Sequence, residues 1–125
     1  MHNIKPKPIL HRDVRWPNIV LHKDEFILID FDHATFGSEK RGIVKKPLKD
    51  FSETGHAPET LTGKHNMKVD IWGVGHLIDS CDIKDKTKKL REFASKLQNQ
   101  NPKNRPIASD ALVEIIEIFK KVIIH

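Results

Sequence analysis

"ILHRDVRWPNIVLHKDEFILIDFDHATF", residues 9–36, sets two polar clusters against apolar runs. Arg12, Asp13, Arg15 and Asn18 lie between Ile9-Leu10 and Ile19-Val20-Leu21, and Asp30-Phe31-Asp32-His33 follows Phe26-Ile27-Leu28-Ile29. Residues 18–22 read as a short strand, Lys23-Asp24-Glu25 as a turn and 26–30 as a second strand, a hairpin of β-favouring residues around a polar turn. Such a hairpin returns the chain to its start, so Asp13, Asn18 and Asp30 can converge. Carboxylate and amide oxygens are hard ligands, suited to a Mg2+ ion that also holds phosphate. A spare carboxylate beside them could orient a hydroxyl and accept its proton. Asp and Asn are also common turn and cap residues, and the stretch alone leaves that reading open.

Outward from this stretch the chain reads as loops and helices. "KPKP" at 5–8 prevents a regular helix there. Residues 38–58 show no sustained period and read as a long loop of the functional or mobile kind. "MKVDIWGVGHLIDSC", 67–81, is apolar nearly all round, as in a helix buried on most sides. Gly73 and Gly75 each lower its helix propensity by about 1 kcal/mol, which close packing against another backbone would explain. "DKTKKLREFASKLQNQ", 85–100, is amphipathic, with Leu90, Phe93, Ala94 and Leu97 on one face and Asp85 as a candidate cap. "NPKNRP" is a loop. "IASDALVEIIEIFKKVII", 107–124, reads as a final helix, with Ser109 or Asp110 near its start. Its stripe of Leu112, Ile115, Ile116, Phe119 and Ile123 is widened by Val113, Ile118, Val122 and Ile124, more than one domain face can easily cover. No internal repeat appears.

The 125 residues suffice for one modest domain, and 38% of them are hydrophobic. The net charge of +5 is dispersed, there is no Tyr, and no basic stretch is interleaved with aromatics as a base-stacking surface would be. Nucleic-acid binding therefore rests on charge alone. The one cysteine, Cys81, excludes an internal disulfide framework, fits a reducing compartment and reads as a packing residue. Met1 to Leu10 lacks the hydrophobic core of a signal peptide, and no run of roughly 18 apolar residues suggests a membrane span. The expectation is an intracellular protein, in cytoplasm or nucleus. The histidines show no HxxxH or Cys/His zinc pattern, and "TGKH" at 62–65 lacks the spacing of a phosphate-binding loop.

Five motifs in order resemble one family. "HRDVRWPN" is similar to the catalytic loop of protein kinases, H-R-D-x-x-x-x-N, with the same spacing from Asp13 to Asn18. "IDFD", 29–32, resembles D-F-G with its glycine replaced, and "HAPE", 56–59, resembles the A-P-E that closes the activation segment. "DIWGVG", 70–75, is similar to the D-x-W-x-x-G of the central helix, and "NPKNRP", 101–106, to the loop carrying a late arginine. The wording "RWPN", "LIDFDHA" and "VDIWGVG" also looks like kinase-like domains of fungi and of crinkler-type effectors.

The resemblance implies a mainly α fold with a short β-hairpin: a minimal kinase C-lobe, one domain over residues 1–125. Its parts would be the catalytic and metal loops at 9–36, the activation segment at 37–59, the central helix at 67–82 and C-terminal helices at 85–124, matching the family's αF, αH and αI. It implies Asp13 as the base, Arg15 as the contact to the transferred phosphate, and Asn18 and Asp30 as metal ligands. Arginine there keeps a lysine's charge and adds a fork for phosphate oxygens. Arg12 would anchor the activation segment, opposite a phosphate on Ser52 or Thr54 or another acidic or carbonyl partner. His11 would be architectural, Glu59 and Arg105 a buried ion pair, and Asp70 the acceptor of catalytic-loop N–H groups above Trp72. The cofactors, if the chain is active, would be Mg2+ and ATP.

The pattern also breaks. No Gly-rich loop, V-A-I-K lysine or helix glutamate precedes His11, so the N-lobe is expected to be absent, and the span before residue 85 is too short for the family's αG region. Asp32 replaces a flexible glycine and adds charge beside the metal site, and Gly55 stands where active kinases usually have an aromatic residue. Phosphoryl transfer is mostly positioning and electrostatics, so half a clamp should transfer phosphate very slowly. The expectation is a pseudokinase or interaction module. The alternatives are the catalytic C-lobe of an active Ser/Thr-type kinase completed by an N-lobe elsewhere and, more weakly, a basic nucleic-acid binder. A second copy of the chain or a trans N-lobe partner would cover the apolar surface of the central and final helices, with the protein substrate or client unspecified and no membrane involved.

Overall fold

The polar turn at Lys23-Asp24 shapes the first part of the chain. The computed structural model describes residues 9–36, 55–60 and 65–123, with side chains to residue 120. Strands β2 (Ile19–His22) and β3 (Glu25–Leu28) pair antiparallel, Ile19 opposite Leu28 and His22 opposite Glu25. Lys23 and Asp24 both take positive φ, 49° and 64°. Two successive left-handed residues make the hairpin turn whose twist matches the strands. The turn is therefore two residues long, β3 begins one residue earlier than the sequence suggests, and both strands stop short of it at the open end of the hairpin. Asn18 closes a one-turn 3-10 helix, Trp16–Asn18, and Asp30, at φ 62°, bends the chain out of the ladder.

A second ladder, invisible in the sequence, joins β1 (Ile9–Leu10) to β4 (Thr35–Phe36), with Ile9 opposite Phe36 and Leu10 opposite Thr35. Two-residue strands are too short to show a period, so only the fold reveals them. This ladder ties together the two ends of the stretch from 9 to 36.

Helices make most of the regular structure: α1 (Lys68–Ser80), α2 (Lys88–Leu97) and α3 (Ala108–Ile123). The fold is mainly helical with small antiparallel ladders. Thr87, not Asp85, caps α2: its hydroxyl accepts from Leu90 N at 3.2 Å. A cap must stand directly before the first helical residue for its oxygen to reach the third N–H, and Asp85 is two positions too early.

Helix α1 joins two cores. Val69 and Trp72 meet Leu10 and Ala57, while Ile71 and Ile78 pack on Phe93, Leu97 and Ala111. Its glycines mark the close approaches: a Cβ on Gly73 would stand 2.7 Å from Val14 Cβ, and one on Gly75 2.8 Å from Leu97 Cβ and 2.9 Å from Ala94 O. The expectation of burial on most sides holds for these faces only, since Val74 is exposed between them. Helix α3 contacts the second core through Ala111, Ile115 and Ile118, a line at helical spacing. The expected stripe is largely outside: Leu112, Val113, Ile116 and Phe119 are exposed. Among the described residues, no helix is long and apolar enough to cross a membrane.

Candidate functional site

Leu10, fully buried, plants β1 in the first core and delivers the chain into a loop of buried polar residues. His11 N and Arg12 N donate to the two oxygens of Asp70, each at 2.8 Å. Asp70 lies in the first turn of α1, so the helix presents one carboxylate to two consecutive backbone groups. Burial pushes Asp70 up from the usual carboxylate range, against the pull of those two N–H groups and the nearby Arg12 charge. Burial likewise lowers the Arg12 guanidinium, with Asp70 acting the other way. Arg12 adopts φ 70°, a left-handed conformation unusual for a long side chain, and its Nε donates to His33 O at 2.7 Å.

His11 spends its imidazole on the backbone. Nδ1 accepts from Asp13 N at 3.1 Å, so Nε2 carries the hydrogen and donates to Ile29 O at 2.9 Å. The ring also meets Phe31 edge-on, centroids 4.7 Å apart. His11 thereby couples the loop to the end of the hairpin.

Asp13 is engaged by three side chains. Asn18 Nδ2 donates to Asp13 O at 2.8 Å and to Asp13 Oδ2 at 2.9 Å. His56 Nε2 lies 2.7 Å from Asp13 Oδ1. Arg15 Nε is 3.0 Å from the same oxygen as an ion pair, although its N–H does not point along that line. Burial alone would raise the Asp13 carboxyl; the hydrogen bonds of His56 and Asn18 and the charge of Arg15 outweigh it and hold it below the usual range. An ionised carboxylate only accepts, so His56 Nε2–H is the donor.

A second buried polar knot lies behind the loop. Arg105, with its side chain fully buried, makes two bonds to the Glu59 carboxylate, Nη1 to Oε1 and Nη2 to Oε2, the latter at 3.1 Å. It also donates to Asn99 O at 2.8 Å and to Lys68 O at 3.0 Å. The planar guanidinium satisfies two segments and one carboxylate at once. Trp72 sits in the first core and stacks on His76 with centroids 5.5 Å apart, its indole N–H buried without a hydrogen-bond partner among the described residues.

The structure thus brings Asp13, Arg15 and Asn18 together, holds His11 and Arg12 on Asp70, and pairs Glu59 with Arg105. It does not join Asp30 to them by a hydrogen bond: the exposed Asp30 carboxylate accepts from Asp32 N at 3.3 Å. Ile29 N bonds Asn18 O at 2.8 Å, which keeps Asp30 at the same end of the hairpin as Asn18. Ser52 and Thr54 lie outside the described residues. Among the described residues no cluster of three His, Cys, Asp or Glu side chains could hold a metal ion. Sequence reasoning missed His56, a lone histidine 43 residues from its partner with no periodicity around it.

No family model matches the chain. It is similar to Crinkler effector protein 8 of Phytophthora infestans, 34% identical over 120 residues, which are 90% of this chain and 19% of that protein. It is also similar to a probable serine/threonine-protein kinase WNK9 of Oryza sativa subsp. japonica, 35% identical over 77 residues, 60% of this chain and 17% of that one. The chain spans less than a fifth of the length of these curated relatives.

Proposed function

We propose that the chain is a kinase-like domain of impaired phosphoryl transfer that serves as an interaction module. The observation that carries this reading is the Asp13 carboxylate. It is bonded to Asn18 as two members of a catalytic loop would be, yet both its oxygens are engaged by protein groups and it is 3% exposed. The similarity to a serine/threonine kinase over 77 residues supports the kinase-like part, and so does the Asp70 carboxylate under the loop.

The donor set suits Mg2+. Both Asn18 bonds to Asp13 come from its side-chain nitrogen Nδ2, which leaves the side-chain oxygen Oδ1 for a hard cation, and the Asp30 carboxylate stands at the same end of the hairpin. Mg2+ takes few protein ligands and completes its shell with waters and phosphates, so the lack of a three-residue metal cluster among the described residues does not conflict with it. When bound with ATP, the ion would neutralise charge on the transferred phosphate. Arg15, partly exposed and drawn to Asp13, would have to turn from that carboxylate to meet the phosphate. Asp32 adds a negative charge two residues from Asp30.

The interaction part is supported by an apolar cleft of about 480 Å³ between the hairpin, α1 and α3, lined by Trp16, Phe26, Leu77 and Phe119 among others. Open apolar surface of this kind marks sites where other molecules bind. A second copy or an N-lobe-type partner would cover it, and a monodisperse monomer at high concentration by light scattering would count against the second copy. Transfer of labelled phosphate from ATP with Mg2+ should be no greater for the wild type than for Asp13→Asn. Transfer that depends on Asp13 would instead favour an active kinase, the reading that the retained Asp13, Asn18 and Asp30 support.

A further inference from the structure

His56 has no assigned task, and it is 4% exposed. Its ring comes from a segment far from the loop in sequence and reaches Asp13 Oδ1 at 2.7 Å, while Asn18 holds Oδ2 at 2.9 Å. A carboxylate that takes a proton from an incoming hydroxyl must present a free acceptor oxygen within hydrogen-bond reach of it. Here His56 stands on that oxygen at 2.7 Å, with the partly exposed Arg15 beside it at 3.0 Å.

The ring is held there from its own segment. Ala57, the next residue, is 1% exposed in the first core beside Leu10, Val69 and Trp72. Thr60 N and Oγ1 both donate to Ala57 O, at 3.1 and 2.5 Å, and close the turn Pro58–Thr60. Glu59 in the same turn is tied to the buried Arg105. The segment is thus anchored on both the apolar and the ionic side, and His56 is its only ring directed at Asp13.

We propose that His56 is a positioning residue that keeps Asp13 shut: a substrate hydroxyl must displace its imidazole from Oδ1 before the carboxylate can act. The consequence for phosphoryl transfer rests on the kinase-like reading above, but the closure of Asp13 does not.

The test is site-resolved coupling of carboxylates by a water-soluble carbodiimide with glycine ethyl ester, read by peptide mass mapping on the full chain. Wild type should couple slowly at Asp13. His56→Ala should couple about tenfold faster there, the factor expected for losing one hydrogen bond to a charged group. Coupling at Asp70, on α1 beneath the loop, should not change. His56→Gln, whose amide N–H can still donate to Oδ1, should stay near wild type. Wild-type coupling in His56→Ala would overturn the proposal. So would a joint rise at Asp13 and Asp70, which reports general loosening, or a Gln variant as fast as Ala. Phosphate transfer from Mg2+-ATP, measured on the same variants, separates the two claims. Faster coupling without Asp13-dependent transfer sustains the closure and removes the base role. Asp13-dependent transfer appearing in His56→Ala sustains both.

Discussion

The loop from His11 to Asn18 and the outer face of α3 are built on opposite terms. In the loop, His11, Arg12, Asp13 and Asn18 are polar yet only 3–6% exposed, and each has named partners. On α3, Leu112, Val113, Ile116 and Phe119 are apolar yet 44–63% exposed, and none belongs to a core cluster. Buried polar groups carry high stakes, because each lost partner leaves a desolvated charge or N–H behind. An exposed apolar side chain has already forgone burial, so the fold loses little when it changes. The first region should thus govern stability, and the second should govern what the domain touches.

The largest effect expected from breaking this contrast is at Glu59. Glu59→Ala would leave the fully buried Arg105 side chain without its carboxylate, and should lower the unfolding free energy by about 3–5 kcal/mol in a urea titration. Gly75→Ala comes next. The new Cβ would press on Ala94 O and Leu97, backbone and core atoms that cannot easily move, for a loss of about 1–3 kcal/mol by the same titration.

A smaller effect depends on pH. The Asp13 carboxyl is held below its ordinary value of 3.8, so its stabilisation is present above that value and lost as pH falls through the depressed one. The stability gap between wild type and Asp13→Asn should therefore narrow as pH is lowered from about 6 to about 3. Asp70, whose shift has the opposite sign, is common to both proteins and leaves the difference untouched. The smallest effect belongs to the apolar side: Val113→Ser, at a residue 63% exposed, should change stability by no more than about 0.5 kcal/mol. A loss there as large as at Gly75 would erase the contrast.

These residues also mark how far the sequence could be read. The hairpin was legible because its apolar runs bracket a polar turn, although only the backbone shows that two left-handed residues make it. The glycines of α1 signalled a close approach, and Val14 and Leu97 now identify the neighbours. The inward line of α3 was not legible. Ten of its 16 residues are apolar and they spread over more than one face, so periodicity could not separate Ala111, Ile115 and Ile118 from the exposed stripe. Nor was His56: a hydrogen bond between residues 13 and 56 is a tertiary fact, created by the path of the chain through the first core. The cap of α2 failed for a local reason, the two-residue offset between Asp85 and Thr87.

The proposed function holds that a kinase-like loop is kept as structure while its chemistry is withheld. It is tested most directly by the melting temperature of the full chain with and without ATP and Mg2+. The account predicts no ATP-dependent rise at micromolar nucleotide. A Mg2+-dependent rise at those concentrations would contradict it, because a ligand that binds the native state stabilises it.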